Sequence, residues 1–216
     1  MWLYILQGIG YGFAAAAQPG PFQTYLISQT LLNGWKRTLP ATFAPLLSDG
    51  PIIVLSLLLL SQVPPGFQRV FYVAGGLFIL YLAYGNYKSW KDFDPDLPFV
   101  ETEVQQRVLK AALINGLNPN LYIFWSLVTG PILMKGWREV PLYGVGFLTG
   151  FYLTMILGFV TLILIFGLAR QLGTRVNHLL LGISAVALFC FGLYQLWMGI
   201  TNASAQSKWT IFLTFP

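Results

Sequence analysis

Charge is what this chain has least of. Only 9% of its 216 residues are charged, against 56% hydrophobic, whereas a soluble domain carries about 25% charged residues. Too few polar side chains remain to cover a soluble globule, so the chain reads as one all-α bundle in a lipid bilayer. Cysteine is nearly absent too. Cys190 alone excludes an internal disulfide and a paired-thiol redox relay, and it reads as a small buried hydrophobe. The one histidine, His178, cannot build a histidine-rich metal site, and it reads as interfacial beside Arg175. Soft and divalent metals want Cys, His or clustered carboxylates, so no metal is expected. No Ser-His-acid group clusters in the apolar segments. The chain is therefore expected not to be an enzyme and to have no catalytic residues.

What is present in quantity is apolar length. Six segments, near 3–33, 38–61, 68–88, 107–134, 140–168 and 176–199, are long enough to cross roughly 30 Å of hydrocarbon at about 1.5 Å per residue. Ala14-Ala15-Ala16-Ala17 could mimic a signal cleavage site, but no Lys or Arg precedes it, so the positive region such a signal needs is missing. The loop 89–106 gathers Asp92, Asp94, Asp96, Glu101 and Glu103 with Pro95 and Pro98 and reads as a solvated connection. The run Trp209-Thr210-Ile211-Phe212-Leu213 is too short to span and is expected at the surface. Residues 1–216 form a single transmembrane domain in this reading: one repeat over about 1–88, the loop 89–106, a second repeat over about 107–199 and a tail 200–216.

The net charge of +5 is read by position, as topology, and calls for no nucleic-acid partner. One set of loops carries Lys36, Arg37, Lys88, Lys91, Arg107, Lys110, Arg170 and Arg175; the other carries Arg69, Lys135, Arg138 and Lys208. The richer set belongs in the cytoplasm, which puts both termini outside. Trp2, Trp35, Trp90, Trp137, Trp197 and Trp209 fall near segment ends, as interfacial anchors should, while Trp125 lies deep in the fourth segment.

Two helix breaks punctuate the pattern. Gln18-Pro19-Gly20-Pro21-Phe22-Gln23-Thr24 interrupts the first segment, and Asn118-Pro119-Asn120 interrupts the fourth. Proline removes an amide donor and clashes with the preceding turn. A membrane tolerates a break only where protein or a watery cavity satisfies the freed groups, and broken helices mark transporter binding sites. The breaks are matched. Pro19 precedes Lys36 by 17 residues and Pro119 precedes Lys135 by 16; Gly34-Trp35-Lys36-Arg37 parallels Gly136-Trp137-Arg138-Glu139, and Gly76 parallels Gly182. Three spans per half force opposite orientations, so the expected fold is two inverted three-helix repeats with helices 1 and 4 broken at proline.

Asp49 is the only acid well inside a span. It lies 12 residues past Arg37, roughly 18 Å along a helix and hence near the midplane. A carboxylate there costs at least about 2.5 kcal/mol and must face the bundle interior or water. It is either a proton carrier or partner for a substrate ammonium, or a buried acid hydrogen-bonded to a neighbouring helix. Thr42, Pro45, Asp49 and Ser56 share its face. The equivalent position in the second half falls near Phe151, so the acid is not duplicated. Pro21 and Pro119 suit the first position of a resumed helix, whose free amides and positive dipole end bind carboxylates. The expected substrate-binding groups are Gln18, Pro19, Gly20, Pro21, Gln23 and Thr24 at one break and Asn115, Asn118, Pro119 and Asn120 at the other, with Asp49 as proton-coupling residue. Gly146, Gly150, Thr154 and Gly158 at four-residue intervals read as a helix-packing face. Tyr81, Tyr84 and Tyr194 read as packing.

Three of these features together resemble the lysine exporter (LysE) family, which includes homoserine and threonine exporters: Pro19-Gly20-Pro21 in the first helix, Ser48-Asp49 at the position of a Gly-Asp in the second, and Asn118-Pro119-Asn120 in the fourth. The resemblance covers all six spans. Phe22 stands where the family often has Asn, and Pro45 and Ser48 replace glycines before the acid. The resemblance implies proton-driven amino-acid export across a bacterial plasma (inner) membrane, with a small-molecule substrate, no cofactor and room for a homodimer. A transporter of another small solute or a cation, or a non-transporting scaffold, are the other readings; a scaffold has no need of Asp49.

Overall fold

The computed structural model describes residues 1–58, 65–92 and 103–212, and all secondary structure among them is helical. The chain runs α1 (Trp2–Ala17), α2 (Pro21–Asn33), α3 (Trp35–Thr38), a 3₁₀ turn (Leu39–Phe43), α4 (Ala44–Leu58), α5 (Pro65–Lys91), α6 (Val104–Gly116), α7 (Pro119–Ile123), a π-helical stretch (Phe124–Thr129), α8 (Gly130–Glu139), α9 (Pro141–Arg170) and α10 (Thr174–Phe212). Most of the acidic loop and the last residues of the tail lie outside the described residues, as does the side chain of Ser56.

Local chemistry accounts for the boundaries. Gln18 and Gly20 are extended, and Pro21 opens α2 at a position whose amide needs no partner. Gly34, at φ +83°, turns the chain from α2 into α3 in a left-handed conformation that favours glycine. Asn118 caps α7 by accepting the amide of Asn120 at 3.1 Å, with Pro119 next to it. Among the described residues, only α9 and the stretch Thr174–Thr201 of α10 are at once long, unbroken and apolar enough to cross a bilayer by themselves; the first, second and fourth apolar segments are divided by their breaks. α10 runs on to Phe212, with no glycine or proline between Ile200 and Phe212, so Trp209–Phe212 continue a helix.

Three long pairings dominate. α1 packs along α9, α5 along α10, and α4 against α6 and the π-helical stretch. The α1–α9 contact brings backbones together: a Cβ at Gly150 would sit 2.6 Å from the Ile5 carbonyl oxygen, one at Gly158 would meet the Ala16 methyl at 2.5 Å, and one at Gly8 or Gly12 would run into the α9 backbone at Phe147 or Phe151. Gly146 and Gly150 thus pack helices together, as small residues do in lipid. The exterior is apolar almost throughout, with Leu3, Leu6, Phe13, Leu153, Leu157, Ile183 and Phe189 exposed. Tyr81, Tyr84 and Tyr194 also face outward. So does Cys190: the expected buried hydrophobe is on the outer face of α10, where an apolar residue is as stable against lipid as against protein. His178 stacks on Trp90 and its Nε2 lies 3.0 Å from the Trp90 carbonyl oxygen, at a helix end.

Gly12→Val should lower the stability of the detergent-solubilised protein by about 1–3 kcal/mol, the usual cost of overpacking, read as a fall in melting temperature. An unchanged melting temperature would mean that α1 does not seat on α9 in this way.

Candidate functional site

The polar centre of the bundle forms around Asp49, which is 1% exposed. It sits one turn into α4, after the 3₁₀ turn and Pro45 have irregularly wound the chain. Asn115, near the end of α6, donates from Nδ2 to Asp49 Oδ1 at 2.7 Å and to Ser48 Oγ at 2.8 Å. Ser48 Oγ is 3.4 Å from the same carboxyl oxygen. Tyr152, on α9, donates from its hydroxyl to Asp49 Oδ2 at 3.2 Å. The indole of Trp125, fully buried in the π-helical stretch, lies beside the carboxyl, and its Nε1 stops short of hydrogen-bond geometry. Trp125 is held there by Phe151 and Tyr152, with ring centroids at 5.3 and 6.5 Å.

Three elements distant in sequence therefore converge on one acid, and every donor is neutral. Among the described residues no base pairs with Asp49. Two of its partners are hydroxyls, which accept as well as donate. The cage can thus bond a carboxylate by donating to it, and a carboxylic acid by accepting from it through Tyr152 or Ser48. The π-helical stretch helps to aim Trp125; its widened backbone is stitched by Thr129 Oγ1 to the Phe124 carbonyl at 3.1 Å.

The breaks are built differently from each other. At the first, Gln23 Nε2 donates at 3.1 Å to the Ala15 carbonyl, which Pro19 leaves without its helical amide, while Thr24 Oγ1 donates at 2.9 Å to the Gly20 carbonyl, which also accepts the Thr24 amide. Gln18 and Pro19 are exposed, while Gly20 and Pro21 are half-buried. At the second, the Leu117 carbonyl accepts from Gln195 Nε2 at 3.1 Å, and the Gly116 carbonyl from the Tyr122 hydroxyl at 3.0 Å. Asn118 is used as the cap, and the exposed Asn120 accepts from the Tyr72 hydroxyl at 3.4 Å. The backbone of Pro119 starts α7; its side chain lies outside the described residues.

Of the residues expected at the site, the structure joins Asn115 to Asp49 by hydrogen bonding. Gln23, Thr24, Asn118 and Asn120 spend their hydrogen bonds on backbone or on Tyr72. Tyr152 and Trp125 were not foreseen. Their signals were present: Tyr152 adjoins the position matched to Asp49 in the second half, and Trp125 is the one tryptophan away from a segment end.

Asn115→Ala should destabilise the protein by about 1–3 kcal/mol, because it strips the shortest hydrogen bond from a buried carboxyl. In an Asp49→Asn background the same change should cost a different amount, by more than about 0.5 kcal/mol. Thermal denaturation of the four proteins reads both numbers, and strict additivity would place the two residues in separate networks.

No curated protein and no solved structure matches the chain. Its sequence does match the profile of the LysE type translocators over residues 13–199, a stretch that takes in both breaks, Asp49 and every residue bonded to it. The chain belongs to the LysE type translocator family.

Proposed function

We propose that this translocator is a secondary exporter of amino acids or related small zwitterions, driven by proton influx through Asp49. The observation that carries the reading is the 1% exposed Asp49 carboxyl, held by neutral donors from three elements. A fixed counter-ion would lock it in one charge state; a cage of reversible hydroxyls leaves both states bonded. The proton would be taken up from outside and released inside as substrate leaves. The substrate carboxylate has its better seat at the N-terminus of α2, where the amides of Phe22 and Gln23 have no acceptor within the helix. At α7 the Asn118 cap already takes one amide.

The pairing of helices supports two inverted repeats. Taking α1–α2, α3–α4, α5, α6–α8, α9 and α10 as six spans, a two-fold operation exchanges the first-with-fifth pairing and the fourth-with-second, and leaves the third-with-sixth pairing on itself. Rocking one repeat against the other would open the site to each side in turn. The orientation has support from the clustering of Arg37, Arg107 and Arg170, which interact electrostatically and so gather at one end of the bundle. By the positive-inside bias that end is cytoplasmic, in a bacterial plasma membrane.

Two experiments test this. Proteoliposomes loaded with labelled amino acids under an imposed pH gradient should release one class, and Asp49→Asn should bring gradient-driven release to the level of empty liposomes. Release that persists in the mutant makes Asp49 structural; no movement of any amino acid by folded wild type removes the exporter reading. In a Cys190→Ser background, a cysteine at Lys36 should react with an impermeant thiol reagent only from the cytoplasmic side, and one at Lys135 only from the other. The reverse labelling inverts the topology.

A further inference from the structure

Among the described residues Arg107 is the second buried charge, and the site around Asp49 does not use it. It projects from the first turns of α6 and is 4% exposed, and its Nε and Nη1 are buried without a hydrogen-bond partner. Glu103, one turn earlier, is exposed, and among the described residues no acid pairs with Arg107. Arg37 lies close enough to repel both Arg107 and Arg170. A guanidinium is always charged and carries five donors in a planar fork that matches an oxyanion. Sinking it beside another cation with Nε and Nη1 unused is costly by itself, and an oxyanion that enters there removes that cost. The position is held: the Tyr25 hydroxyl of α2 donates to the Arg107 carbonyl at 3.3 Å.

We infer that Arg107, with Arg37 beside it and Arg170 on the far side of Arg37, forms a carboxylate-binding vestibule at the cytoplasmic mouth, which takes up the amino acid before it reaches Asp49. This rests on the exporter reading above. The geometry fits a first station on a short path. Arg107, Ala111 and Ile114 lie along the buried face of α6, and Asn115, the donor to Asp49, follows Arg107 by eight residues, or about 12 Å. An arginine fork at the mouth selects solutes with a carboxylate and concentrates them where the path begins. A lipid phosphate offers the same oxyanion chemistry, so the test separates the two.

Arg107→Gln should raise the substrate concentration for half-maximal export from the cytoplasmic face about tenfold, the scale of one lost charged hydrogen bond. The half-saturating concentration for exchange from the outer face should not change. Acetate on the cytoplasmic face, a carboxylate without an ammonium, should compete with substrate in the wild type and lose potency in the variant. Arg107→Lys, which keeps the charge but not the fork, should fall between, and with the wild-type acetate competition it decides the matter if Arg107→Gln does not fold. The effects should be the same in neutral phosphatidylcholine vesicles and in vesicles containing phosphatidylglycerol. Equal saturation of wild type and variant, absence of acetate competition, or an effect confined to phosphatidylglycerol vesicles would each overturn the vestibule. These results differ from failure of the exporter reading, in which the wild type itself moves no amino acid.

Discussion

The structure depends on one constraint: a carboxyl group buried in the middle of an apolar bundle, with no base beside it among the described residues. Such a group cannot be left unbonded, since water is not there to replace a missing donor. The protein meets this by bringing α6, α9 and the π-helical stretch to α4 at a single point. Asn115 and Tyr152 reach opposite oxygens of Asp49, and Trp125 closes the space beside them. Packing elsewhere follows from that convergence. The aromatic contacts among Phe124, Trp125, Phe147, Phe151 and Tyr152 form the wall behind the acid, and the glycine contacts of α1 with α9 hold α9 close enough for Tyr152 to reach.

The helix breaks obey the same rule by different means. A break frees carbonyls that must find donors within the protein. Gln23 reaches back across the first break to Ala15, and Gln195 crosses from α10 to Leu117 at the second. That second bond needs room, and Gly75 supplies it, because a Cβ there would lie 2.6 Å from the Leu117 oxygen and closer still to the Gln195 amide. Polar residues around a break are thus drawn first into repairing it. In the proposed exporter this leaves the backbone amides at the start of α2, more than the side chains of Gln23 or Thr24, to meet the substrate carboxylate.

This explains which parts could be read in advance. Proline announces a break from sequence alone, because its geometry excludes a continuous helix whatever surrounds it. Asp49 announces itself through the cost of its charge. Tyr152 carries no such energetic mark, only its place beside the position matched to Asp49: by its own chemistry a tyrosine on an apolar helix looks the same whether its hydroxyl faces lipid headgroups or a buried acid. Tyr81 and Tyr84 have the same local pattern and face outward. Asn115 was legible as polar, but its sequence neighbourhood assigned it to the break, while three-dimensional packing gave it to the acid 66 residues away. The outward position of Cys190 was illegible for a related reason: in a membrane an apolar residue is no less stable facing out, so hydrophobicity no longer reports burial.

The lack of a second acid follows from the same geometry. In the proposed arrangement of inverted halves, Tyr152 adjoins the position matched to Asp49, and the two side chains meet at 3.2 Å. A second carboxyl group brought into the same buried centre would repel the first and make ionising either one more costly. A tyrosine at the second position avoids this. Its hydroxyl donates to the carboxylate, accepts from the carboxylic acid, and adds no charge of its own. In that proposed arrangement, the departure from symmetry at this point is what lets two inverted halves carry a single acid that remains hydrogen-bonded in both of its protonation states.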